Sequence, residues 1–503
     1  MERLGPAEAP PLKLLICGSG IAGLFTALSL SGQGHDITLV ERDGPPPEAA
    51  DDTEGAERAF FDWERQGAAQ FRHPHAFLGL MCSLIEAHHP ELLEALIAAG
   101  ARPIRFTDML PPGLRDDYEP APGDEKLWVM SCRRATIERV LHKHVTALPD
   151  VRLLSGRTVE GVVLEEGDGT PRVAGVKLAG GESLLAEVTL DATGRTSRFP
   201  RWFRDAGIAI AEEKDDAEIQ YFTRYYRLKP GYSEPPREGG GNGDLGYLKY
   251  GVFPGDNGHF AVILCMAVAE RELRQAILRP ELFDDICRQV PGLDRWLDER
   301  AEATTDPAGI GDINAVWRHF VEDGAPKLLD FFAVGDAHLR TNPLYGRGCS
   351  TSLLHAHLLR DVFGADMDPV RRACAFSERT RSEIRPIFDA SLADDKRAIV
   401  RAGHEIDGTP APTGVGASVK GALRDAVSAA ARENIHVMRG VMRSFNLIEP
   451  PGAFMSDWKT RAIIARYLLR GRARNQEARR RVGPDRNAML DYVRSLTEGV
   501  SAA

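Results

Sequence analysis

Three glycines, Gly18, Gly20 and Gly23, sit in the run Gly18-Ser19-Gly20-Ile21-Ala22-Gly23, between the apolar segment Leu12–Cys17 and an Ala- and Leu-rich stretch reaching about Ser31. After a strand and at the start of a helix, such a turn is a phosphate cradle. Gly18 permits the tight bend, Gly20 lets a pyrophosphate approach the backbone, and Gly23 allows close helix–strand packing, while the helix N-terminus favours negative charge. The next apolar run, Asp36–Val40, ends in Glu41-Arg42, with Glu41 eighteen residues beyond Gly23. There the Glu41 carboxylate is placed to accept hydrogen bonds from a ribose, with Arg42 beside it. The pattern specifies a dinucleotide site without choosing between NAD and FAD.

Two further segments carry polar residues that regular structure does not require. The apolar run Leu328–Val334 leads into Gly335-Asp336, then into Asn342-Pro343-Leu344-Tyr345-Gly346-Arg347-Gly348-Cys349-Ser350 and an apolar helix over 351–362. Earlier lies Gln70-Phe71-Arg72-His73-Pro74-His75-Ala76-Phe77-Leu78, in which a histidine titrating near neutrality, His75, could relay a proton. Neither a nucleophile triad nor metal-ligand spacing accompanies them.

The elements that must position these residues read as an α/β chain. Strand, turn, helix and strand follow one another over 12–40, an acidic, proline-rich loop is expected over 43–57, and helices over 90–100 and 134–148. Short alternating runs over 151–190 predict an antiparallel meander returning to the main parallel sheet. Runs at 219–228, 245–253 and 259–268, rich in aromatic and β-branched residues, predict a second, antiparallel sheet with an apolar pocket wall. Between the first two, 229–246 carries prolines and Gly239-Gly240-Gly241 and reads as a mobile lid. A linker over 405–416 precedes mainly helical residues. The expected organisation is a Rossmann-like domain over 11–205, an antiparallel-sheet substrate domain over 206–324, a return to the first domain over 325–400 and a helical region over 401–503.

Taken together, Gly18 to Gly23, Gly335-Asp336 and the Pro343 to Gly348 segment resemble the class A flavoprotein monooxygenases, the hydroxylases and epoxidases built like para-hydroxybenzoate hydroxylase. The likeness spans about 12–365 and includes Arg134-Ala135-Thr136-Ile137-Glu138 at a helix start, Asp191-Ala192-Thr193-Gly194-Arg195 at a strand end, and the Gln70 to Leu78 segment. It implies FAD as cofactor, with Asp336 on the ribityl chain and Pro343, Gly346 and Gly348 at the isoalloxazine ring. A helix starting near Gly348 would point its positive end at the ring edge where reduced flavin carries negative charge. Arg134 would reach the FAD phosphates or ribose, or remain a surface arginine. Asp191 and Gly194 would form a turn with or without ligand contact, and Arg72 and His75 would line the flavin or the nicotinamide approach.

The chain departs from the family pattern at Arg347 and Cys349, where many relatives carry glutamine and methionine. Arg347 would hold a substrate carboxylate or anionic flavin. The resemblance further implies NADPH or NADH as transient reductant, O2 as co-substrate, and hydroxylation or epoxidation of a hydrophobic aromatic or alkene compound through a flavin C4a-hydroperoxide, as in secondary metabolism. A geranylgeranyl reductase-like flavin reductase or dehydrogenase would share every FAD motif. A halogenase would share the fold, but the Trp-x-Trp-x-Ile-Pro run of that family is absent and the six tryptophans are isolated.

Composition bounds the reading. At 503 residues the chain has room for two to four domains of roughly 150 residues each. With 63 Lys and Arg against 73 Asp and Glu it carries net charge −10, which argues against nucleic acid as a partner. A hydrophobic share of 43% with 27% charged residues excludes disorder as the main state. Seven scattered cysteines, no secretory h-region and no long uncharged apolar segment predict a reduced, cytoplasmic enzyme. One local exception is the stretch 459–481, where Lys459 and eight arginines alternate with apolar residues; it is compatible with weak membrane-surface contact or with a solvated helical face.

Overall fold

The computed structural model describes residues 11–501 apart from 117, 166–168, 237–240, 366, 409–414 and 478–482. At its centre β1 (Lys13–Cys17) runs parallel to β2 (Asp36–Val40) on one side and to the strand Val188–Asp191 on the other. Phe331–Ala333 and Val151–Leu154 complete a five-stranded parallel sheet. β1 reads Leu-Leu-Ile-Cys after its first residue because both faces are covered. Leu14 and Ile16 pack with α1 (Ile21–Leu30) and the Gly348–Phe363 helix, whereas Leu15 and Cys17 face Val173, Val176 and Phe199. Each such fully buried aliphatic side chain contributes about 1.5–3 kcal/mol.

The meander expected over 151–190 is divided. Val151–Leu154 follows a helix, Arg134–Thr146, and so enters the sheet as a parallel crossover strand beside β2. Antiparallel pairing is confined to Val159–Glu165, Arg172–Leu178 and Ser183–Leu185, after which Val188–Asp191 inserts between β1 and Phe331–Ala333. The expected loop over 43–57 gives way to α2 (Asp52–Phe61). Asp51 caps this helix by accepting the Glu54 N–H at 2.8 Å, and its apolar face buries Ala56, Ala59 and Phe60.

The second sheet is antiparallel. Ile219–Leu228 pairs with His259–Ala267, which pairs with Lys249–Pro254 and, beyond it, Asn242–Asp244. Side-chain parity divides its aromatic residues: Phe222 and Tyr226 face the helices Arg271–Ile277 and Pro280–Arg288, while Tyr221 and Tyr225 face the first domain. In the segment expected as a lid, Asn242–Asp244 is thus an edge strand, and 237–240 lie outside the described residues.

A buried pair clamps the second sheet to the first. Arg133 donates from its backbone N–H to Asp256 Oδ1 at 2.7 Å and from Nη2 to Oδ2 at 2.7 Å, and Thr136 adds a bond at 2.9 Å.

At the carboxyl end the helix Arg385–Asp407 extends into the expected linker, of which 409–414 lie outside the described residues. The helices Val415–Glu433, Ile435–Phe445 and Trp458–Arg470 share a small core of Ala430, Ala431 and Val437. The last helix, Arg486–Ser501, instead packs Met489, Leu490 and Val493 into the core that the helices Arg271–Ile277 and Pro280–Arg288 form on the outer side of the second sheet. Among the described residues no helix is long and apolar enough to cross a membrane.

Candidate functional site

A cavity of about 1510 Å³ lies across the C-terminal ends of the parallel strands and continues to the inner face of the second sheet. Gly18 after β1, Glu41 and Arg42 after β2, Ala192 after Val188–Asp191 and Asp336 after Phe331–Ala333 all line it, where open α/β sheets bind their ligands. Its volume exceeds the roughly 300–1,000 Å³ of an ordinary small-molecule pocket and accommodates a dinucleotide together with a second ligand.

The three glycines do different work. Gly18 has φ +100°, and a Cβ there would stand 2.6 Å from Ala192 O; a Cβ on Gly23 would stand 1.9 Å from Gly18 O. These two are fixed by the protein's own packing. Gly20 is not: its Cβ would meet only Arg65 Nη2 at 3.9 Å, so the space above it belongs to the cavity. α1 starts there without a side-chain cap or an acidic residue in its first turn, leaving N–H donors and the positive dipole end for an anion.

Glu41 and the buried Arg65 frame this turn. The Glu41 carboxylate accepts the Ser19 N–H at 2.8 Å and the Asp43 N–H at 3.0 Å, and pairs with Arg65 at 3.2 Å. Burial pushes Glu41 upward, but Arg65 and these donors outweigh it and hold the carboxyl below its ordinary value. Arg65 also meets Asp43 and Glu138, and donates to Ser19 O at 3.1 Å. Glu138, fully buried, takes Arg65 on one oxygen at 3.3 Å and Arg134 on the other at 2.5 Å. Two guanidinium groups thereby line the cavity near the glycine turn. Arg134 is thus a buried cavity residue rather than a surface arginine.

At the opposite end, Pro343–Tyr345 forms one 3₁₀ turn closed by Gly346 at φ +66°, and the Gly348–Phe363 helix begins without a side-chain cap. Pro343, Gly346, Gly348 and Cys349 line the cavity, so the first N–H groups of that helix are presented to it. Burial drives the Cys349 thiol up to about 12, against a lowering influence from Arg134, and keeps it neutral. Asp336 lines the same cavity and makes no hydrogen bond to the protein among the described residues. Burial raises its carboxyl, opposed first by Arg134. The loop is tied down from behind: Asn342 Oδ1 accepts Tyr221 OH and the Leu344 N–H, and Asp395 accepts Asn342 Nδ2 at 2.6 Å and Tyr345 OH at 3.0 Å.

Three expectations are corrected. Arg72 is exposed and donates to Phe60 O at 3.1 Å and Phe61 O at 2.9 Å, satisfying the last carbonyls of α2 outside the cavity. Arg347 also turns away from it. Its guanidinium bonds Ser391 Oγ at 2.5 Å, pairs with Asp394 at 3.3 Å and lies 4.8 Å over the Tyr345 ring, so it braces the loop against the Arg385–Asp407 helix. His75 does line the cavity, but as a fixed neutral ring. Its Nδ1 faces His73 O at 2.8 Å and so carries the proton, leaving Nε2 to accept from Arg134 Nη1 at 3.3 Å. Burial, reinforced by Arg134, lowers its pKa to about 3, which removes proton relay near neutrality. The Asp191 carboxyl is likewise buried and engaged by Thr193 at 2.9 Å and Ser197 at 2.5 Å, while Thr193, Gly194 and Arg195 of the turn reach the cavity.

The neutral histidines have a consequence for stability. Burial lowers His73, His89, His142 and His338 to about 4 and His75 and His357 to about 3, from 6.5. Because the folded values lie below the unfolded one, the unfolded chain binds more protons as pH falls through 6.5. Their contribution is complete above that value and is lost progressively toward about 3. The thermal midpoint should therefore fall by about 10 °C or more between about pH 7 and about pH 5; a midpoint constant across that range would contradict it.

Residues 13–107 match the family model described as DAO, FAD dependent oxidoreductase. No curated protein matches the chain in sequence. Among solved structures, the flavin-dependent brominase Bmp2 superposes with TM-score 0.58 at 14% identity, covering 92% of this chain and 99% of its own. A flavoprotein/dehydrogenase from Cytophaga hutchinsonii gives 0.59 at 13%, covering 93% and 100%. The p-nitrophenol 4-monooxygenase PnpA from Pseudomonas putida DLL-E4 gives 0.54 at 16%, covering 87% and 98%. At these identities the likeness is one of fold. The chain therefore has the fold these flavoproteins share, and its segment 13–107 is similar to FAD dependent oxidoreductases. The residues present fit the cofactor: an open space over Gly20, an unpartnered carboxyl at Asp336 and an uncapped helix start at Gly348 stand along one cavity.

Proposed function

We propose that this chain is an FAD-dependent monooxygenase that uses NADH or NADPH and O2 to hydroxylate or epoxidise a hydrophobic aromatic or alkene compound. The observation that carries the reading is the continuation of the cavity, past the Pro343 to Gly348 loop, into a chamber walled by Tyr221, Phe253, Ile263 and Cys265 of the second sheet. The likeness in fold to PnpA, a p-nitrophenol 4-monooxygenase, supports it.

When bound, FAD supplies acceptance of two electrons from the nicotinamide and activation of O2, so that one oxygen atom enters the substrate and the other leaves as water. The chain's own groups do the rest. N–H donors at the start of α1, with Arg65 and Arg134 nearby, would hold the cofactor's pyrophosphate, Asp336 would accept hydrogen bonds from its ribityl hydroxyls, and the N–H groups at Gly348 and Cys349 would stabilise negative charge on its ring. The aromatic and aliphatic walls exclude water from the reacting face.

Anaerobic addition of NADPH or NADH to the yellow holoprotein tests the redox half of this reading. Bleaching of the flavin by at least one nicotinamide is expected. Retention of the oxidised spectrum with both would overturn a self-contained monooxygenase. Halide-dependent formation of a halogenated product in the aerobic reaction would transfer the chain to the chemistry named for Bmp2.

A further inference from the structure

The helix Trp458–Arg470 leaves one face uncovered. Its inner side, Thr460, Ile463, Ile464 and Tyr467, packs toward the Val415–Glu433 helix, and Glu433 accepts Tyr467 OH at 3.1 Å and pairs with Arg470 at 2.6 Å. On the outer side Trp458 and Leu469 are 77% and 88% exposed, the most exposed large apolar side chains among the described residues. Eleven residues is about three helical turns, so these two side chains point the same way. Ala462 and Ala465 lie exposed between them, and Leu468 at 41% exposure widens the strip.

The strip is flanked by cations. Over 458–477 stand Lys459, Arg461, Arg466, Arg470, Arg472 and Arg474 against Glu477 alone, in a chain of net charge −10. Lys459 and Arg466 make no ion pair among the described residues, whereas Arg470 and Arg472 are held by Glu433 and Asp425. An apolar ridge edged by arginine and lysine, with an aromatic ring at one end, has the composition of a helix that lies in a bilayer interface. A protein partner would need acidic groups matched to particular positions. An anionic bilayer supplies both the negative surface and the apolar layer without such matching.

We propose that the Trp458–Leu469 face docks this chain on an anionic membrane surface, the helix lying in the plane of the interface. The docking face and the cavity are joined through one helical unit, since Arg432 and Phe445 of that unit line the cavity.

The test is co-sedimentation of the full-length holoprotein with phosphatidylcholine vesicles, with and without phosphatidylglycerol, at low and high salt. Salt-sensitive binding to the vesicles containing phosphatidylglycerol is expected. Trp458→Ala/Leu469→Ala should weaken it about tenfold or more, and Lys459→Gln/Arg466→Gln should reduce both the binding and its salt dependence. All four side chains are exposed, so flavin content and far-UV circular dichroism should be unchanged in both variants. Equal recovery in the supernatant with both vesicle types, or binding by Trp458→Ala/Leu469→Ala indistinguishable from that of the parent chain, would overturn the proposal. So would a dimer in solution that this variant dissolves, which would assign the face to a second copy.

Discussion

Gly20→Val gives a folded protein that purifies without yellow colour. The substitution is unusual in being permitted by the protein and forbidden by the ligand. Gly20 has φ −75°, a conformation any residue adopts, and its Cβ would find nothing closer than the Arg65 guanidinium at 3.9 Å, an ordinary van der Waals distance. The isopropyl group then occupies the space above the N-terminus of α1, where the pyrophosphate must approach the N–H groups. Losing even one or two hydrogen bonds to a charged group weakens binding by about 3 kcal/mol, or about 100-fold. The ratio of flavin to protein absorbance reads the loss, and circular dichroism shows the fold retained. Gly23→Val provides the contrast: its Cβ would lie 1.9 Å from Gly18 O, so it should fail to give soluble protein. Full flavin content in Gly20→Val would place the pyrophosphate elsewhere.

Asp256→Ala destabilises the chain by about 3 kcal/mol or more. Asp256 and Arg133 are both almost entirely buried, and the carboxylate takes the Arg133 backbone N–H, its guanidinium and Thr136 Oγ1 together. Removing one member of a buried pair leaves a desolvated charge, a change worth about 3–5 kcal/mol. Glu57, paired with the same guanidinium at 2.9 Å, offsets part of this and sets the lower end of the expectation. Because Asp256 belongs to the turn joining two strands of the second sheet, the variant should also loosen that sheet from the first domain. Urea unfolding measures the loss, and a change below about 1 kcal/mol would show that the pair is not the clamp described.

What the sequence disclosed and what it hid follow from the range of the interactions. The glycine turn, Glu41 and the apolar strand β1 are legible because neighbours in sequence define their geometry, and the α1 start needs nothing distant. Arg65 carried no signal: its partners Glu41, Asp43 and Glu138 are assembled by a loop whose path no periodicity encodes. Asp395 was equally silent, since it reaches the Pro343 to Gly346 turn only because a helix fifty residues later passes behind it. Arg347 shows the converse error. Its position beside Gly348 suggested a contact with the ligand, but Ser391 and Asp394 of that same helix capture the guanidinium first. His75 lines the cavity, but its neutral state is not legible in the sequence, because burial and the Arg134 charge arise only in three dimensions. The last helix, Arg486–Ser501, belongs to the second sheet for the same reason, its apolar side matching a surface far away in sequence.

The central claim is that one cavity brings FAD, a nicotinamide-derived electron pair and O2 to a hydrophobic substrate for oxygen transfer. The most direct measurement supplies the holoprotein with NADH or NADPH, ¹⁸O2 and aromatic or alkene compounds chosen because they perturb the bound flavin spectrum, with mass spectrometry of the products. The account predicts a product carrying one ¹⁸O atom, formed only when nicotinamide, oxygen and compound are all present. Unlabelled product formed in the absence of oxygen, with added O2 yielding hydrogen peroxide alone, would contradict it and make the enzyme a flavin reductase or dehydrogenase.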